Sequence, residues 1–160
     1  MEEVTRAAQT LAKASGMDLV DAASAITTAM NQMGVEAKDA SMIIDGLSTG
    51  AQKGSADIEY QKTAMEKSGA AAKMAGLSYK DLIASIETIA PSFSSADVAG
   101  SSLKSTLIAL ETQTESKYKP SVVGINQALA NLSEANLSAE EKVQIFGAAT
   151  LTCATALLEN

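Results

Sequence analysis

Apolar residues recur at spacings of three and four along most of the chain, and nowhere do they alternate at two for long enough to make a strand. Leu19, Ala22, Ala23, Ile26, Ala29, Met30 and Met33 draw one such stripe from about Asp18 to Met33, and Gly34 ends it. A second helix is expected from about Ala37 through Ala40, Ile43, Ile44 and Leu47. It should dissolve into Ser48-Thr49-Gly50-Ala51-Gln52-Lys53-Gly54, whose small residues lose too much backbone entropy to prolong a helix cheaply. Ser55 reads as the cap of a third helix, with Asp57 and Glu59 near its positive end and a patchy stripe of Ile58, Met65, Ala72 and Met74 across Gly69.

From Ser78 the stripe sharpens through Leu82, Ile83, Ile86, Ile89 and Ala90, until Pro91 removes a backbone donor and forbids continuation. Ser94 or Ser95 opens the next helix, whose Val98, Ala99, Leu103, Leu107 and Leu110 should face inward. The polar run 111–119, closed by Pro120, reads as a flexible connection. Ile125, Leu129 and Leu132 carry a short helix, and Val143, Ile145, Phe146, Ala149, Leu157 and Leu158 carry the last. The pattern predicts an all-α fold: a bundle or array of about seven short helices forming one domain over 1–160.

Three helix starts share one signature at sixty-residue intervals. Gly16-Met17-Asp18-Leu19-Val20-Asp21 returns as Gly76-Leu77-Ser78-Tyr79-Lys80-Asp81 and again as Asn136-Leu137-Ser138-Ala139-Glu140-Glu141. In each, an apolar residue precedes an N-cap (Asp18, Ser78, Ser138) and an acid follows three residues on (Asp21, Asp81, Glu141). A second arm, Val35-Glu36-Ala37-Lys38-Asp39-Ala40 against Phe93-Ser94-Ser95-Ala96-Asp97-Val98, follows about seventeen residues after the first. Together they outline repeat units at 16–75 and 76–135 with a partial third at 136–160, although capping chemistry alone accounts for the shared residues.

Composition narrows the functional classes. Alanine dominates, tryptophan is absent and aromatics total 3%, so each helix face buries little apolar area and the core should be thin. A partner or self-association would then add stability. No histidine is present, which removes the usual general base and the commonest metal ligand and excludes serine triads and His-based zinc sites. Cys153 is the single cysteine, so neither an intrachain disulfide nor a Cys-x-x-Cys knuckle can form, and an inert buried thiol is expected. The formal charge is −7, with Arg6 the lone arginine and the lysines dispersed, so no basic stripe exists to neutralise phosphates. No run of eighteen apolar residues appears, and the opening Met1-Glu2-Glu3 lacks the positive segment of a signal peptide, so a soluble chain is expected. The apolar, helix-prone end, Ala154 to Asn160, fits a piece of a longer protein.

Candidate chemistry is sparse. Glu66, Glu87 and Glu111 are the carboxylates to weigh as a catalytic pair, which a glycosidase needs about 5 to 9 Å apart in a sugar-binding cleft. They fall on different predicted helices, and aromatic platforms for sugar rings are missing. Asp18 and Asp21 are explained by capping, and no calcium loop of the Asp-x-Asp-x-Asp-Gly kind occurs. Met30, Met33, Met65 and Met74 fall on or near core stripes, which favours packing over a methionine-lined binding groove. The residues thus give no catalytic, cofactor-binding or metal-ligating position and no defined partner surface; no cofactor is expected and the chain reads as a non-enzyme.

Several segments, taken in order, resemble a known family. They are Leu11-Ala12-Lys13-Ala14-Ser15-Gly16-Met17-Asp18-Leu19-Val20-Asp21-Ala22-Ala23, Ala29-Met30-Asn31-Gln32-Met33-Gly34-Val35, Lys53-Gly54-Ser55-Ala56-Asp57 and Ala71-Ala72-Lys73-Met74-Ala75-Gly76-Leu77-Ser78. Gly100-Ser101-Ser102-Leu103-Lys104 and Ile145-Phe146-Gly147-Ala148-Ala149 extend the series. Their order and spacing over roughly 8–155 resemble the conserved core of tail tape-measure proteins of long-tailed bacteriophages and prophages. Two places depart from that pattern: Pro91-Ser92-Phe93 replaces a small-residue turn, and Ala148-Ala149 stands where an arginine often follows the Phe-Gly pair.

The resemblance implies a structural role in the virion tail, in setting tail length and in assembly within the bacterial host cytoplasm. It implies other tail proteins as partners (tube, baseplate and assembly chaperones), with no nucleic acid contact from this block. An unrelated helical adaptor that docks partner helices in a Met- and Ala-lined groove is the alternative, and a cell-wall hydrolase is a third reading that would require a carboxylate pair in a cleft.

Overall fold

The computed structural model describes residues 2–159. Helix α1 spans Glu2–Ser15, α2 Leu19–Met33, α3 Ala40–Lys53, α4 Ile58–Met74, α5 Tyr79–Ile89 and α6 Ala96–Glu111. Four shorter helices follow: α7 Pro120–Val123, α8 Ile125–Glu134, α9 Ala139–Phe146 and α10 Leu151–Leu158. Single 3-10 turns lie at Ala37–Asp39, Ala90–Ser92, Ser116–Tyr118 and Ala148–Thr150. No strand occurs among the described residues, which bears out the all-α expectation; they hold ten α-helices instead of about seven.

The three recurrent caps form as anticipated. Asp18 accepts from the backbone N–H of Val20, Ser78 from that of Asp81 and Ser138 from that of Glu141. The Ser78/Asp81 and Ser138/Glu141 pairs are complete capping boxes, in which the acid also accepts from the backbone N–H of the cap. Gly34 closes α2 in the left-handed conformation, φ 68°, where a side chain would be strained. Pro91 ends α5 inside the turn Ala90–Ser92.

Helices α1 to α6 stack as hairpins in two layers, because each packs on its chain neighbour and on the helix two further along: α1 on α3, α2 on α4, α3 on α5 and α4 on α6. Thr28 meets Glu66, Gln32 meets Gly69 and Gly34 meets Lys73, so α2 and α4 run in the same direction. Tyr60 donates to the Phe93 carbonyl at 2.9 Å near the starts of α4 and α6, and these two run parallel as well. Ile43 and Gly46 meet Tyr79 while Gly54 meets Glu87, which sets α3 parallel to α5. One layer thus holds α1, α3 and α5, the other α2, α4 and α6. This packing repeats every two helices, beginning at Glu2, Ala40 and Tyr79, whereas the capped starts sixty residues apart place α2 and α5 in opposite layers.

A continuous core fills the space between the layers and extends under α8 to α10. Leu11, Ile26, Ile43, Leu47, Met65, Leu82, Ile86, Ile89, Leu103, Leu107, Leu110 and Leu132 are its largest fully buried side chains, with alanines between them. Small residues set the helix separation. A Cβ on Gly100 of α6 would stand 2.5 Å from the Ala64 carbonyl oxygen and 2.8 Å from the Ala64 Cα of α4, so these two backbones touch.

Several local expectations are corrected. Residues 48–53 continue α3 instead of forming a loop, because Gly46 and Gly50 pack against Tyr79, Gln61 and Glu87, and that tertiary contact outweighs their entropy cost. The cap of α4 is Asp57, which accepts from Tyr60 N–H, and Ser55 precedes it in the turn. Helix α4 runs unbroken through Gly69, where the side chain of Gln32 occupies the space a Cβ would need. Leu19, Met74 and Val98, placed on core stripes by periodicity, are 47%, 56% and 54% exposed: Leu19 stands at the very start of α2, Val98 shares the outward face of α6 with Ser101, Ser105 and Ile108, and Met74 shares that of α4 with Lys67 and Ala70. The last predicted helix is two, divided at Gly147 with φ 78°. The 111–120 connection holds its own turn and is tied back where Ser121 donates twice to the Glu111 carboxylate, at 2.8 and 2.6 Å.

Candidate functional site

The most organised polar cluster sits where α3, α4 and α5 converge. Gly46, Gly50 and Gly54, spaced by four, bring one edge of α3 against α5 without side chains of its own. Glu87 of α5 lies across Gly50 and Gly54, in space that any larger residue on α3 would fill. Its Oε1 accepts from Gln61 Nε2 of α4 at 2.7 Å, and its Oε2 accepts from the backbone N–H of Ala56 at 3.0 Å, in the turn between α3 and α4. Gln61 is fully buried; the same Nε2 also reaches the carbonyls of Ala56 at 3.1 Å and Leu47 at 3.4 Å. One carboxylate and one amide thereby fasten three helices and the turn between two of them.

At the other end of this seam, the Tyr79 hydroxyl donates to the Ile43 carbonyl at 3.1 Å, and burial raises its pKa. An open groove of about 500 Å³ follows the seam outside, lined by Asp45, Thr49, Lys53, Lys80, Ile83 and Glu87 among others. Both oxygens of Glu87 are engaged by N–H donors, an arrangement that suits a clamp better than a proton carrier.

The three carboxylates weighed as catalytic groups are kept at separate junctions. Glu66 accepts from Thr28 at 3.4 Å between α4 and α2, Glu87 belongs to the seam, and Glu111 binds Ser121 beyond α6. Asp18 acts as a cap. No cluster of three metal-ligating His, Cys, Asp or Glu side chains exists among the described residues. Of the methionines weighed, Met65 is buried, Met30 and Met33 are partly buried against the core, and Met74 is exposed. Cys153 is buried as expected, and burial pushes its thiol up to about 11. No helix among the described residues is long and apolar enough to cross a membrane.

Sequence reading missed Gln61 and the glycine edge. The signals were present: Gln61 stands three residues after Ile58 and four before Met65 on the buried face, and the glycines recur at helical spacing. Spacing marks the glycines as one helix edge, but which backbone comes to lie against that edge depends on residues far away in the chain.

Comparison with curated proteins gives no match, and comparison with solved structures gives none either. The profile of the family described as phage-related minor tail protein matches residues 1–119, which covers all of α1 to α6 with the seam and its clamp. The chain therefore belongs to the phage-related minor tail protein family.

Proposed function

We infer that this chain is a non-catalytic structural module of a tail tape-measure protein, acting in tail assembly and in the determination of tail length. The observation that carries this reading is the extent of the family match, 1–119, over the whole hairpin stack. Two features support it. The ordered helix-boundary segments resemble the tape-measure core, and the best-organised polar group, Gln61 with Glu87, joins helices to one another instead of lining an enclosed cavity. Its partners are other tail proteins of the tube, the baseplate and the assembly machinery, together with further copies of itself. Its place is the virion tail, assembled in the bacterial cytoplasm, and it makes no contact with nucleic acid.

The module works as a folded block and not as a uniform ruler. A continuous helix of this length would span roughly 240 Å at about 1.5 Å per residue, whereas the hairpin stack folds that length back on itself. Deleting residues 16–158 from the parent protein is expected to abolish or derange tails. Electron microscopy of such virions decides it: uniform tails shortened by about the helical length of the deletion would overturn the folded-block reading. Light scattering on the isolated chain tests self-association, for which a concentration-dependent mass above the monomer is expected.

A further inference from the structure

Helices α7 to α10 follow the hairpin stack without extending it. The family match ends at residue 119, just after the turn Ser116–Tyr118, which packs on α7 and α8, so the break in packing falls a few residues earlier, at 112–115. α9 and α10 lie on α6, and α10 also lies on α5 and α8, so this segment covers the edge of the stack that α5 and α6 leave open. The seam beneath it is apolar where Phe146, Cys153, Ala154 and Leu157 join the core cluster of α5 and α6, and carries small hydroxyl-bearing residues along one side. Ser102 and Ser105 of α6 face Ala149 and Thr150 across an open groove of about 520 Å³.

Thr106 is buried within hydrogen-bond reach of Cys153, yet its hydroxyl donates to the Ser102 carbonyl of its own helix at 2.9 Å. Thr150 donates to the Phe146 carbonyl on its own side of the seam. Neither hydroxyl loses its partner when the seam parts, so separation leaves few orphaned polar groups. The contact of α6 with α4, through Gly100 and the Lys67–Asp97 pair at 2.9 Å, uses no residue of α7 to α10.

We propose that α7 to α10 form a clasp that closes the α5–α6 edge and opens as a unit while α1 to α6 stay folded. The segment 112–115 is its hinge, the turn Ser116–Tyr118 moves with it because that turn packs on α7 and α8 and accepts from Asn131 at 2.7 Å, and the exposed Glu111–Ser121 hydrogen bonds are its latch. Clasp opening is a subglobal event of the kind that separates contiguous units of unequal stability. The inference rests on packing, so it stands or falls independently of the role in tails.

The chain carries its own probe, since Cys153 is its single cysteine, is fully buried, and sits in α10 on the seam. On the full chain, labelling by an aromatic disulfide reagent is followed against urea, with amide hydrogen exchange read in parallel. Labelling is expected to run faster than global unfolding allows, with a urea dependence clearly above zero but smaller than that of global unfolding, while amides of α8 and α10 exchange together ahead of those in α2 and α4.

Leu157→Ala, in the clasp, should raise the labelling rate by about tenfold or more. Glu111→Ala, at the exposed latch, should raise it by less and leaves the core untouched, which keeps the test valid if the first variant does not fold. Labelling that follows global unfolding with its full urea dependence overturns the proposal. So does exchange of α10 alone, with α8 as protected as α4, because that is the fraying of one helix.

Discussion

Gln61 Nε2 and Glu87 Oε1 lie 2.7 Å apart, joining the second helix of one hairpin to the first helix of the next. The bond exists because glycines at 50 and 54 leave the carboxylate room against α3. Glu87→Ala removes the shortest of the acceptors of Gln61 Nε2 together with the acceptor of the Ala56 N–H, and is expected to destabilise the fold by about 1–3 kcal/mol. Glu87→Gln should cost less, since one carbonyl acceptor survives. Urea unfolding followed by circular dichroism orders the three proteins, and equal midpoints would show that the clamp contributes nothing.

Two glycines test two different physical constraints. Gly100→Ala forces a methyl into the Ala64 backbone and should cost about 1–3 kcal/mol by overpacking. Gly16→Ala meets nothing within 4 Å but must hold φ 73°, so its cost is conformational, about 1 kcal/mol. The first change should also loosen α4 against α6, visible as faster amide exchange in both helices, while the second should leave exchange there unchanged.

Ile26 in α2 and Ile86 in α5 are both fully buried, and each is expected to cost about 2–4 kcal/mol on truncation to alanine. They occupy corresponding positions of the sixty-residue echo but lie in opposite layers. Chemical denaturation of the two variants gives the comparison. A silent substitution at either site would remove the equivalence on which the duplication idea rests.

Alkaline pH should weaken the fold through Cys153. The ordinary thiol value is 9.0 and burial pushes it up to about 11, so between these values the unfolded chain releases a proton that the folded chain retains. This contribution to stability is fully present below pH about 9 and is lost as pH rises toward about 11. The urea midpoint of the natural chain should therefore fall more steeply over that window than that of Cys153→Ala. Tyr60 and Tyr79, also raised by burial, act equally in both proteins and cancel in the difference. Parallel pH profiles would show that the thiol is not protected by burial.

At an exposed helix start, Ser138→Ala should move the Glu141 carboxyl, held low first by the Ser138 backbone N–H and then by its hydroxyl, only part of the way back toward its ordinary value, because the backbone N–H survives the change. The lowered value marks a contribution present above the unfolded pKa and lost as pH falls through the folded one. Carbon-detected NMR titration of Glu141 in both proteins reads the change directly, and an unmoved titration would mean that the capping box does not persist in solution.

The sequence by itself determined what local chemistry can determine. Side-chain oxygens at Asp18, Ser78 and Ser138, the left-handed Gly34 and the missing donor of Pro91 fix helix boundaries within one turn of chain, and the three-and-four spacing of Ile, Leu and Ala fixes the class. What it left undecided depends on residues far apart. Whether Ser48 to Lys53 is loop or helix, whether α4 survives Gly69, and where Glu87 spends its hydrogen bonds are settled by surfaces contributed from other helices. A glycine carries an entropy cost legible from its identity alone, while the close packing it permits depends on which backbone comes to lie against it. Only the tertiary structure supplies that partner, and with it the period of two helices and the seam that Gln61 and Glu87 hold together.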